Sequence, residues 1–184
     1  MPDDDKATAT PFLTDVKTLR DRARQHIEEG AVTPSYGANA QDVCKVLNDA
    51  LATELVCVLR YKRHYFTAEG IHSESVKKEF LEHAGEEQEH ADRIAERIVQ
   101  LGGKPDFDPA GLVSRSHAEY GASENLRDMI MEDLVAERVA IESYREIAQW
   151  LHGKDSTTRR LMEEILAVEE EHADDMSSLL KRVQ

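Results

Sequence analysis

The chain has 184 residues, 33% of them charged and 5% aromatic, with a formal net charge of −14. That length suits one compact domain plus a tail, the profile suits an all-helical protein, and the acidic balance excludes the basic footprint of a general nucleic-acid binder. No apolar run reaches the roughly 18 residues of a membrane helix. The only cysteines, Cys44 and Cys57, fall about 20 Å apart on one helix, too far to pair, which fits a reducing cytoplasm.

Residues 1–40 read as a leader. Its start, Met1-Pro2-Asp3-Asp4-Asp5, has no hydrophobic signal core. A helical stretch over Leu13–Glu29 follows, closed by Gly30 and the turn residues Pro34 and Gly37. Residues 41–184 form the main domain. Its first long helix runs from about Asp42 to Glu69 and stops at Gly70; the second runs from Ser73 to Leu101 and stops at Gly102-Gly103. Lys104–Ser123, with Pro105, Pro109, Gly111 and Gly121, is a long crossover loop. A third helix over Glu124–Leu151 and a fourth over Ser156–Lys181 complete the chain. Short outer connections and a long middle one predict two antiparallel hairpins joined by a crossing segment, an all-α four-helix bundle with an N-terminal helical extension.

Apolar stripes support each helix: Leu47, Leu51, Val58, Tyr61 and Tyr65; Phe80, Ile94, Ile98 and Leu101; Ile130, Leu134, Ile141, Tyr144 and Leu151; Met162, Ile165, Met176 and Leu179. Carboxylates interrupt all four, at Glu54, Glu87, Glu137 and Glu169, with His90 and His172 beside the second and fourth. Unpaired buried carboxylates cost several kcal/mol or more in desolvation, so four at one level of a core require cations. The chain also repeats itself. Leu51-Ala-Thr-Glu54 with Tyr61 aligns with Leu134-Val-Ala-Glu137 with Tyr144, and Glu87-Gln-Glu-His90-Ala-Asp aligns with Glu169-Glu-Glu-His172-Ala-Asp. A pseudo-twofold site between the hairpins follows.

Residues three apart on a helix share a face, so each Glu-x-x-His can direct a carboxylate and an imidazole at one metal ion. Glu54 and Glu137 add one carboxylate to each ion, and Glu87 and Glu169 can bridge. Nitrogen with several oxygens and open positions suits iron or manganese better than structural zinc. Four carboxylates also offset two divalent cations. With 22 glutamates and 8 histidines, about one Glu-x-x-His arises by chance, and Glu69-Gly-Ile-His72 is assigned no function. The two repeated copies, each with a core Glu upstream, form the described pattern of ferritin-like carboxylate proteins.

From about Asn48 to Leu180 the chain resembles the bacterioferritin and ferritin-like family, including its Dps-like relatives. The resemblance implies that Glu54, Glu87, His90, Glu137, Glu169 and His172 hold two Fe ions per subunit in a ferroxidase centre. It makes Tyr61 an electron-supplying tyrosine beside them. It further implies an iron storage and detoxification protein that oxidises Fe²⁺ with O₂ or H₂O₂ inside a homo-oligomeric shell of 12 or 24 subunits. Gln88 stands where bacterioferritins place a haem-ligating Met, so haem is not expected. Twelve residues follow His172, too few for the fifth helix of 24-subunit shells, which favours the smaller assembly. A rubrerythrin-like peroxidase is the alternative enzyme, although no Cys-x-x-Cys module is present. A Dps-like protective shell is the other alternative, with DNA binding opposed by the charge. Outside the ligand set, Tyr144 reads as a core tyrosine, Cys57 as a small apolar residue rather than one that approaches the site, His83 as a helix-surface residue rather than an entry ligand, and Glu82 and Glu86 as a solvated face rather than the lining of an iron path.

Overall fold

The computed structural model describes residues 14–71 and 73–183. The expectations for Met1–Asp5, for the helix start at Leu13 and for His72 lie outside them. The described residues form two compact units, one ending at Tyr36 and one beginning at Gly37. In the first unit, helix α1 (Val16–Ala23) starts where the Asp15 carboxylate accepts the Thr18 N–H. It stops well before Glu29, because His26 adopts a left-handed φ of 50° and only a 3-10 turn, Ile27–Glu29, follows. No residue of α1 is buried, so apolar packing does not extend it.

The second unit is built from four long helices, α2 (Ala40–Thr67), α3 (Ser73–Gln100), α5 (Leu126–Trp150) and α6 (Ser156–Arg182), with a short α4 (Leu112–Arg115) in the crossover. There is no strand among the described residues. α2 packs along α3 and α5 along α6, and the hairpins close through α2–α5 and α3–α6 contacts. Helix starts are set by side-chain caps: Asn39 accepts from the Gln41 and Asp42 N–H groups, Asn125 from Asp128, and Asp155 from Thr157 and Thr158. At the end of α3, Gly102 takes a φ of 78°, a conformation that favours glycine. Gly103 has a different reason: a Cβ there would lie 2.6 Å from the Cys44 sulfur.

The expected stripes form the core. Leu47, Leu51, Phe80, Ile94, Ile98, Ile130, Met162, Ile165 and Met176 are fully buried, while Leu134 and Ile141 are only partly so. The crossover is more ordered than a loop reading suggests. Leu112 packs against Ala52 and Val56 of α2. Polar side chains of α2 take up its backbone groups: Asn48 accepts the Asp106 N–H at 2.7 Å, Thr53 accepts the His117 N–H at 2.9 Å, and Arg63 donates to the Ser123 carbonyl at 2.8 Å.

One buried ion network pins α2 to α5. Arg60 Nε donates to Asp133 at 2.8 Å, His64 Nδ1 lies 2.8 Å from the other Asp133 oxygen, and Arg60 Nη1 reaches the Glu119 carbonyl at 3.0 Å. Arg60, His64 and Asp133 have no solvent exposure. Breaking such a group by removing one partner strands the others. Asp133→Ala should therefore cost about 3–5 kcal/mol in urea unfolding, and a loss below about 1 kcal/mol would show that the network does not hold the hairpins together.

Candidate metal centre

The helical hairpins bring all six candidate ligands to one level of the second unit. α2 carries Glu54, α3 carries Glu87 and His90, α5 carries Glu137, and α6 carries Glu169 and His172. The four carboxylates are at most 1% exposed, and the two imidazoles at most 4%. They form two overlapping groups, Glu54/Glu87/His90/Glu169 and Glu87/Glu137/Glu169/His172, in each of which one ligand atom per residue lies within 4.8 Å of the others. Glu87 and Glu169 belong to both groups, the geometry that bridging carboxylates need. His90 Nδ1 stands 3.4 Å from Glu54, 3.6 Å from Glu87 and 3.0 Å from Glu169. His172 Nδ1 stands 3.4 Å from Glu87, 3.8 Å from Glu137 and 3.9 Å from Glu169.

None of these inward atoms is hydrogen-bonded. Glu54 Oε2, Glu87 Oε1, His90 Nδ1, Glu137 Oε2, Glu169 Oε1 and His172 Nδ1 are buried without a hydrogen bond, one atom from each of the six residues, and face only one another. Buried polar atoms are ordinarily paired, so the arrangement fits a group that supplies positive charge rather than protons.

Electrostatics point the same way. Burial, reinforced by the charge on Glu87, pushes the Glu54 carboxyl well above the usual range. Burial and the neighbouring Glu87, Glu54 and Glu137 do the same to Glu169. On Glu87 burial acts upward but is outweighed by contacts to Glu54, His172 and His90, and its carboxyl is held down. Burial alone would lower both histidines; the surrounding carboxylates overcome it and raise His90 to about 9 and His172 to about 11. With no cation present, the raised groups, Glu54, Glu169, His90 and His172, favour their protonated forms.

The outer atoms of the ligands are fixed by second contacts. Tyr61 donates to Glu137 Oε1 at 2.5 Å, leaving Oε2 inward. Tyr144 donates to Glu54 Oε1 in the symmetry-related position, so it is more than the core tyrosine that its sequence position suggested. Glu86 Oε2 lies 2.7 Å from His172 Nε2, which orients that ring with Nδ1 toward the centre. Glu86 keeps its solvated face, 43% exposed, while its Oε2 reaches inward; its place immediately before Glu87 is the signal for that contact. His83 also departs from the surface reading: it is 2% exposed and stacks on His172 with ring centroids 3.9 Å apart. Cys57 is buried and free, with Arg60 Nη2 3.4 Å from its sulfur, and burial pushes its thiol up.

The sequence matches the ferritin-like domain family over residues 44–184. The chain belongs to this ferritin-like family. Among curated relatives, the ferritin-like chain is 32% identical over 141 residues to the nutrient stress-induced DNA-binding protein of Synechococcus sp., covering 75% of this chain and 80% of that protein. It is 33% identical over 141 residues to the bacterioferritin of Brucella melitensis, covering 75% and 82%. Among solved structures it resembles the dodecameric thioferritin of Bacteroides fragilis, a bacterioferritin-related protein, with a TM-score of 0.77, 34% identity and coverage of 80% and 89%. Dps from Thermosynechococcus elongatus shares the fold with a TM-score of 0.73 at 22% identity, covering 76% of this chain and 90% of that one. Among the described residues no helix is long and apolar enough to cross a membrane.

A centre that holds buried acid groups for the sake of cations should sacrifice stability without them. Metal-free Glu169→Gln should unfold no more easily than metal-free wild type, since an amide needs no counter-charge. Wild type should gain roughly 2–4 kcal/mol from saturating Mn²⁺, and the variant should gain much less. A variant several kcal/mol weaker without metal, or equally stabilised by it, would contradict this origin of the buried charge.

Proposed function

We propose that this protein is a ferroxidase and iron store that binds two Fe²⁺ ions through Glu54, Glu87, His90, Glu137, Glu169 and His172. The observation that carries the reading is the set of six inward atoms without a hydrogen bond, one from each of these side chains. Four carboxylates against two divalent ions make the loaded centre neutral, while two imidazoles and unfilled positions leave room for an oxidant. Two ferrous ions give up two electrons. One O₂ takes them with two protons to become hydrogen peroxide, or one H₂O₂ takes them with two protons to become two waters.

The protein's own groups prepare that step. Tyr61 and Tyr144 hold the outer oxygens of Glu137 and Glu54, and Glu86 holds the outer nitrogen of His172. The ligands are thus oriented before iron arrives. Tyr61 is the better placed electron source, because its oxygen also contacts His83 Nδ1 at 3.2 Å while Tyr144 contacts Glu54. The phenol can return one Fe³⁺ to Fe²⁺ with one electron as its proton passes to Glu137, leaving a neutral tyrosyl radical. Ferric product then leaves for a mineral inside a homo-oligomeric shell. The dodecameric relative supports a shell of twelve subunits. A net charge of −14 opposes binding to the phosphate backbone of DNA.

The test is oxidation of Fe²⁺ by metal-free protein, followed by absorbance and oxidant consumption. Wild type should oxidise two Fe²⁺ per O₂ or per H₂O₂ in a fast phase, then accumulate iron well beyond two per chain. Glu87→Ala should abolish the fast phase, and Tyr61→Phe should slow it by about 10–100-fold. Oxidation no faster than in buffer would overturn the ferroxidase, and uptake stopping at two per chain would overturn storage.

A further inference from the structure

His83 is almost wholly buried, yet nothing in the two-iron reading employs its outer nitrogen. It lies one turn before Glu87 on α3. Its Nδ1 is 3.2 Å from the Tyr61 hydroxyl oxygen. That hydroxyl has one proton, which it donates to Glu137; its oxygen must therefore accept here, and His83 Nδ1 carries the proton. Nε2 is left as a bare lone pair. It faces Asp175 Oδ2 at 3.7 Å, outside hydrogen-bond reach, and no hydrogen bond to it forms among the described residues.

Its neighbours are carboxylates. Glu79 stands one turn earlier on α3, Asp175 stands on α6, and one ligand atom from each of Glu79, His83 and Asp175 lies within 4.8 Å of the others. Three acceptors converging with no donor between them lack only a cation. The space is present as well: these residues, with Glu82, Glu86, Glu171 and His172, line a cavity of about 80 Å³. That is enough for an ion and completing waters, each of which occupies about 30 Å³. Glu86 is already taken by His172 Nε2, so it leaves the outer ligand set at three. The inner wall is His172 itself, stacked on the His83 ring at an interplanar angle of 18°.

We infer that Glu79, His83 and Asp175 form a third divalent-cation site, an antechamber through which Fe²⁺ reaches His172 and the paired site behind it. One imidazole with two carboxylates and water suits Fe²⁺, Mn²⁺ or Zn²⁺. The half-exposed Asp175 gives the ion a side open to solvent. Its role in iron delivery rests on the ferroxidase reading; the site itself rests on the geometry around His83.

Zn²⁺ is the probe, because it is not oxidised. Metal-free protein equilibrated with Zn²⁺ should hold three ions per chain, and zinc-edge anomalous diffraction should place one of them between Glu79, His83 and Asp175. Asp175→Asn and Glu79→Gln should each lower the count to two by removing that peak alone. Two inner peaks with no outer peak in wild type would overturn the antechamber and leave the paired site intact. An outer peak with empty inner positions would leave the third site standing and overturn the ferroxidase reading. An outer peak that survives both substitutions would overturn the proposed ligands.

Discussion

Four carboxylates buried side by side in an apolar helical core are the constraint on which the rest of this protein depends. Ionised and alone, each would cost several kcal/mol in lost hydration, and their mutual repulsion would add to that. The surroundings supply no hydrogen bond to the inward atoms. They supply outward contacts instead, from Tyr61, Tyr144 and Glu86, which point the ligands at one another. The proposed pair of divalent cations would offset the four negative charges that these contacts gather.

The repeat explains how one bundle meets that demand twice. Each hairpin contributes a carboxylate from its first helix, a Glu-x-x-His from its second, and a tyrosine that reaches across to the opposite carboxylate. The two halves then diverge. His83 connects Tyr61 to an acidic cavity on one side, while the single hydrogen bond of Tyr144 ends at Glu54. Symmetry builds the six-residue cluster; asymmetry sets Tyr61, and not Tyr144, in contact with a histidine of the acidic cavity.

Much of this was legible in the sequence because it is periodic. The stripes at helical spacing indicate the four helices, Gly70 and Gly102 mark ends that the structure places within a residue or two, and the repeat points to six residues that do converge. What could not be read depends on facing residues far apart in the chain. Arg60 and Asp133 stand 73 residues apart in the chain, and only the meeting of α2 with α5 buries them against each other. His83 looks solvent-facing until α6 covers it. The crossover reads as loop because its order comes from Asn48, Thr53 and Arg63 on another element. The leader helix stops at Ala23 rather than Glu29 because α1 has no buried face to continue it.

Iron-edge anomalous diffraction from crystals loaded with Fe²⁺ under anaerobic conditions tests the central claim most directly. The account predicts two iron peaks per chain, about 3.5–4 Å apart, one ringed by Glu54, Glu87, His90 and Glu169 and the other by Glu87, Glu137, Glu169 and His172. An iron-free interior, or iron held only between neighbouring chains, would contradict it.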